Sequence, residues 1–177
     1  MSKMKNIVYI FLISMLPIIE LRGAIPVGAG LGVDFFSNFT AAVIGNLVPV
    51  PFILLFIPKI LEFLSRFKPF RPIVSWLWRK AERYSGKIIQ GENSSGVSDA
   101  ESKKARLYLS GAFVGLMTFV LLPIPGTGAW TGSLVAALFK LPFWRSLLAV
   151  TLGVIGCAVI MSLASYGVVG FLSFLAA

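Results

Sequence analysis

Two stretches of the chain, Ser37 to Ile57 and Trp144 to Ala164, are apolar and almost free of charge over the length a helix needs to cross a bilayer. At a rise of 1.5 Å per residue, about 20 residues cover roughly 30 Å of hydrocarbon. With 57% hydrophobic and only 13% charged residues, the chain has too little polar surface to wrap a soluble core around such runs. The sequence therefore predicts an all-α, polytopic integral membrane protein, in which lipid takes the place that a core has in a soluble fold.

Two further regions are apolar for longer but interrupted. Ile7 to Val33 is broken by Pro17-Ile18-Ile19-Glu20-Leu21-Arg22-Gly23, and Leu107 to Phe139 by Pro123-Ile124-Pro125-Gly126-Thr127-Gly128. Each arm is about 11 to 16 residues, too short to span alone, and broken backbone is tolerated at membrane depth only where protein or a water-lined cavity surrounds it. The halves echo each other: Leu16-Pro17-Ile18 and Leu122-Pro123-Ile124, Gly23-Ala24 and Gly128-Ala129, Phe35-Phe36 and Phe143-Trp144, Gly45 and Gly153. We therefore expect an inverted repeat, each unit a broken or re-entrant helical hairpin followed by one transmembrane helix. Residues 1–58 form the first repeat (hairpin 7–33, span 37–57) and residues 107–177 the second (hairpin 107–139, span 144–164, then a short tail from Tyr166 read as a half-helix).

Eleven of the sixteen Lys and Arg lie between Lys59 and Arg106, so residues 59–106 are expected on the cytoplasmic face against anionic lipid. Within them, 59–89 reads as amphipathic interfacial helices and Gly91 to Ser102 as a flexible linker. Lys3 and Lys5 before an apolar run resemble a secretory signal, but Pro17, Glu20 and Arg22 follow where a cleavage region would stand. The formal charge of +9 does not imply nucleic acid, because its basic residues flank apolar spans rather than a groove-reading or base-stacking element. The chain has no histidine, and Cys157 is its one cysteine, so no metal cluster, disulfide or nucleophile-base pair is foreseen; no enzyme activity and no cofactor are expected.

Chemistry is expected at the two breaks. A charge at mid-bilayer costs about 2.5–3.5 kcal/mol on insertion scales, which singles out Glu20 as a proton or cation carrier and Arg22 as an anchor for an anionic group. The alternative is that the two neutralise each other or sit at a shallow interface. Gly23 and Pro26 shape the first break, and Asp34 either marks the surface or joins Glu20. In the second break Pro125, Gly126, Thr127 and Gly128 offer glycine-lined backbone, with Thr127 expected to cap the following helix. Helix starts near Gly23 and Thr127 would aim amides at an anion, unless the turn is purely structural. Pro49-Val50-Pro51 with Asn46 should kink the first span. Gly153, Gly156, Gly167 and Gly170 are compatible with a homodimer interface as well as with packing inside one chain.

The block Glu20-Leu21-Arg22-Gly23-Ala24-Ile25-Pro26-Val27-Gly28, followed by Pro123-Ile124-Pro125-Gly126-Thr127-Gly128-Ala129-Trp130-Thr131-Gly132, resembles the bacterial family of small multidrug export proteins, over roughly residues 14–165. That family in turn resembles the DedA-type membrane proteins, with two opposed re-entrant hairpins. The resemblance implies a bacterial inner (plasma) membrane location and a small amphipathic substrate. It also implies, on the DedA side, lipid-phosphate translocation such as that of a polyprenyl phosphate, and protons as a coupling ion. By position Glu20 and Asp34 would be the acidic pair and Arg145 one arginine; a second arginine has no counterpart here. A scaffold that transports nothing but binds membrane lipids and partners is the remaining reading.

Overall fold

The computed structural model describes residues 3–66, 72, 99–124 and 126–175. Among these all regular structure is helical: α1 (Lys3–Ser14), α2 (Glu20–Gly30), α3 (Phe35–Leu47), α4 (Pro49–Leu64), α5 (Asp99–Leu121), α6 (Ala129–Leu138) and α7 (Phe143–Leu175). Two continuous apolar stretches are long enough to cross a membrane, Phe35–Phe63 across α3 and α4 and Phe143–Phe171 within α7. The interfacial helices expected beyond residue 66 and most of the linker lie outside the described residues, as does Pro125.

Prolines and left-handed residues set the boundaries. Pro17 cannot donate to a continuing ladder, so α1 ends in the turns of 15–19. Pro49 is tolerated at the first position of α4, where its missing N–H is no loss, and α3 and α4 are separated only at Val48, which keeps helical angles (φ −53°, ψ −48°) and whose amide still bonds Ile44 at 3.1 Å. The two short helices end in the same way. After α2, Val33 N–H donates to Gly28 and Gly32 to Ala29, with Gly32 at φ 69°; after α6, Leu141 donates to Ala136 and Lys140 to Ala137, with Lys140 at φ 50°. This 6→1 and 5→2 pairing closes a helix around one left-handed residue, and the equivalent positions are 108 residues apart.

Packing fixes the directions. Lys3 at the start of α1 pairs with Asp34 just after α2, at 3.5 Å, so α1 and α2 lie antiparallel around the 15–19 turn. Gly45 on α3 stands against Phe11 O and Ser14 of α1, so α1 and α3 are parallel; Gly153 on α7 stands against Met117 O and Val120 of α5 in the same manner. A side chain at either glycine would separate the helices, because backbone is what it would strike. Tyr166 in the last third of α7 packs on Phe35 at the start of α3, the rings tilted by 57° with centroids 5.4 Å apart, and α3 and α7 therefore run in opposite directions. The common core joins Ile10, Leu21, Ile25, Val50, Val120, Val150 and Val154.

Three expectations are corrected. The tail from Tyr166 is not a separate half-helix: α7 continues unbroken for 33 residues, about 50 Å, since no proline or turn signal interrupts it. Helix α4 extends the first span through Leu64, and α5 is already helical at Asp99, inside the stretch read as linker. Of the two uses open to Gly153 and Gly156, packing within the chain is the one seen: they admit Met117, Val120 and Leu121 of α5.

Candidate functional site

The turn between α1 and α2 faces the 122–128 segment between α5 and α6, and the contact is made by charged residues of the first half on the helix ends of the second. Glu20 and Arg22 are not in a loop but on the first turn of α2, and Glu20 takes φ 50° there. That conformation costs a non-glycine residue on the order of 1–3 kcal/mol and persists only where surroundings hold it. What holds Glu20 is its side chain: 5% exposed, its Oε1 accepts the Trp130 N–H at 3.3 Å in the first turn of α6. A carboxylate at a helix start is favoured by the unpaired amides and the positive dipole end. Its other oxygen lies against Gly128, where any Cβ would collide with it.

Arg22 serves the opposite helix end. Its Nη2 donates to Leu122 O at 2.7 Å, to Val120 O at 3.3 Å and to Thr127 Oγ1 at 3.0 Å, while Nη1 donates to Ile124 O. Val120 O is one of the carbonyls α5 leaves unpaired at its C-terminus, and Leu122 O and Ile124 O belong to the turn just beyond it, where a cation is favoured. Thr127 does not cap α6; Gly128 occupies the cap position without a side-chain bond. The Thr127 hydroxyl is instead bound to Leu122 O at 3.0 Å and Ile124 O at 2.9 Å, and Gly126 at φ 89° turns the chain between them. Trp130 Nε1 reaches back to Met15 O at 3.0 Å, tying α6 to the first turn. Cys157 of α7, itself buried, is close enough to feel the charges of Arg22 and Glu20. The Arg22 Nε is buried with no acceptor among the described residues.

Glu20, Arg22, Thr127 and Gly128 thus meet, and Gly126 shapes the turn. Gly23 lets α2 pass over Ile19. The helix start expected near Gly23 is at Glu20, and the one near Thr127 is at Ala129. Asp34 does not join Glu20: at the other end of α2 it accepts the Ser37 N–H at 3.0 Å as the cap of α3 and pairs with Lys3. The Ser37 amide, then its hydroxyl, then Lys3 hold the Asp34 carboxyl below the usual carboxylate range. Arg145 lies on the first turn of α7 in a cleft with Leu109, Phe113 and Leu141, and not among the Glu20 contacts. Pro26 sits inside α2 and lines a groove with Gly30, Ala164, Ser165, Val168 and Val169. Glu20 and Arg22 do not form an ion pair with each other among the described residues; each is paired across the two halves instead.

Sequence reasoning passed over Trp130, Asn38 and Tyr166. Asn38 Nδ2 donates to Ile25 O at 2.8 Å and Tyr166 OH at 3.1 Å, and Tyr166 OH donates to Val33 O at 2.6 Å. A polar residue inside an apolar span was the signal available for both Asn38 and Tyr166.

No curated protein and no solved structure matches the chain. Residues 20–160, from the junction glutamate through most of the second span, match the family described as "Putative small multi-drug export protein", and the chain belongs to that family.

Proposed function

We propose that the protein is a proton-coupled membrane exporter of small amphipathic molecules, working at the junction where Glu20 and Arg22 grip the 122–128 break. The observation that carries this reading is the cross-capping itself: one residue holds the start of α6 and the other the end of α5. Ionised, Glu20 accepts a charge-assisted bond from the Trp130 amide. Protonated, it loses that advantage, its hold on α6 weakens, and the two halves are free to part. A family of export proteins, two apolar spans and a charged pair between short apolar helices all support this assignment.

The matching helix endings at Gly32 and Lys140 and the matching glycine contacts at Gly45 and Gly153 support reading α1–α3 and α5–α7 as inverted repeats with re-entrant hairpins entering from opposite faces. With residues 59–106 on the cytoplasmic side, the starts of α5 and α7 open to the cytoplasm, and Lys3, Asp34 and Tyr166 to the other face. Glu20 and Gly128 are themselves 108 residues apart, so the repeat would place equivalent positions against each other. That explains why one side carries a long acid and the other no side chain at all.

A second reading, translocation of a lipid phosphate, is favoured by one feature: the start of α6 already accepts a carboxylate, so an anionic headgroup could replace Glu20 there. Purified protein in liposomes, assayed for ethidium efflux and for flipping of a labelled polyprenyl phosphate with and without a pH gradient, separates the two. Under our reading ethidium moves, Glu20→Gln removes the dependence on the gradient, and Glu20→Gln with Arg22→Gln folds but does not transport. A double variant that keeps both stability and transport would show that neither residue is needed at the junction and would overturn the reading.

A further inference from the structure

Away from the junction, and apart from Asn6 on α1 and Ser146 at the start of α7, the buried polar atoms without a hydrogen-bond partner among the described residues lie on α3 and on α7 one turn from Tyr166. Asn38, Asn46 and Ser162 are fully buried; Asn38 Oδ1, both amide atoms of Asn46 and Ser162 Oγ make no hydrogen bond among the described residues. Asn38 and Asn46 are eight residues apart on α3, and Ser162 is one turn before Tyr166 on α7. Each pair shares a helix face.

The depth of these groups follows from the packing. Asn38 stands against Gly28 of α2, close enough that a Cβ there would strike its amide, and α2 and α3 are antiparallel. Eight residues further along α3 is about 12 Å, and the same distance back along α2 from Gly28 reaches Glu20. Asn46 is therefore level with Glu20, Asn38 lies midway, and Tyr166 with Val33 O closes the series at the end of α2 next to Asp34. Beside Tyr166, a groove lined by Pro26, Gly30, Ala164, Ser165, Val168 and Val169 opens between α2 and α7.

Buried amides and hydroxyls that lack protein partners are characteristically satisfied by ordered water, provided the site is polar. A purely structural wedge in an apolar bundle would have alanine or leucine at these positions, as at Ala42 between the two asparagines. We infer that a hydrated polar path, walled by α2, α3 and α7, runs from Glu20 to the face that carries Asp34 and brings water and protons to the Glu20 carboxyl. The inference rests on the reading of Glu20 as the proton-accepting group. The titratable groups around Glu20 are Arg22 on its own helix and Cys157 on α7; α3 and α6 contribute none, and the ionisable residues of α1 are Lys3 and Lys5 at the far end and an exposed Tyr9. The path ends on the Asp34–Lys3 pair.

Thiol chemistry distinguishes a wet wedge from a dry one, because only a hydrated thiol ionises and reacts. In a Cys157→Ala background, Ser162→Cys is a near-isosteric probe for a small cationic methanethiosulfonate applied to either face of oriented proteoliposomes. Labelling from the Asp34 face is expected at least about tenfold faster than from the other, and Asn46→Leu is expected to slow gradient-driven transport by a similar factor at unchanged melting temperature. An unreactive Ser162→Cys together with wild-type transport by Asn46→Leu would overturn the path while leaving the junction reading in place. Rapid labelling, combined with a Glu20→Gln variant that keeps its full response to the pH gradient, would instead overturn Glu20 as the destination and with it the reading the path rests on.

Discussion

At Gly128 the absence of a side chain is a requirement of its neighbour, since the Glu20 carboxylate fills the space a Cβ would take. Gly128→Ala should lower stability in detergent by about 1–3 kcal/mol through overpacking and abolish transport. Adding Glu20→Ala should recover most of the stability but none of the transport, and a thermal-melt double-mutant cycle reads that coupling. Asp34 gives a contrasting case outside the spans. Its carboxyl is held below the ordinary value by the Ser37 amide, so its contribution is present above about pH 4, where an unfolded aspartate is ionised, and is lost as pH falls through the folded value. Asp34→Asn should therefore melt lower than wild type near neutrality, with the difference closing toward pH 3; a gap that stays constant across that range would contradict the assignment. The importance of Glu20 and Arg22 was legible from charge in an apolar context, but their partners were not. Arg22 binds main-chain carbonyls, which any residue supplies and no sequence pattern announces.

At the scale of helices, the two glycines that face backbone should behave alike. Gly45→Ala and Gly153→Ala each force α1 from α3 or α5 from α7 and should cost about 1–3 kcal/mol. Gly111→Ala, where an added Cβ meets nothing, should be neutral or gain up to about 1 kcal/mol from helix propensity. Equal tolerance at all three positions would show that the repeated contact does not hold these helices together. The equivalence of Gly45 and Gly153 was readable in the sequence because a packing glycine recurs at a fixed offset, and the breaks were readable because proline and glycine mark them. The length of α7 was not, since apolar residues past Tyr166 look the same whether they continue a helix or begin a new one. The cap of α6 was also missed: Thr127 has the right chemistry for a cap, but Arg22 and two carbonyls, contacts more than a hundred residues away or inside the turn, claim its hydroxyl.

For the whole molecule, export through the junction requires the contact between the halves to break and re-form in each transport cycle. Trp130 and Met15 lie on its two sides, joined by the indole N–H to the Met15 carbonyl. The direct measurement is ethidium efflux from proteoliposomes carrying Met15→Cys and Trp130→Cys in a Cys157→Ala background, before and after a short thiol-to-thiol cross-linker whose bridge is reducible. If the halves part in each cycle, the uncross-linked protein transports, cross-linking stops efflux, and reduction restores it. Full efflux by protein shown to be cross-linked would contradict this, because the two halves would then have no need to separate.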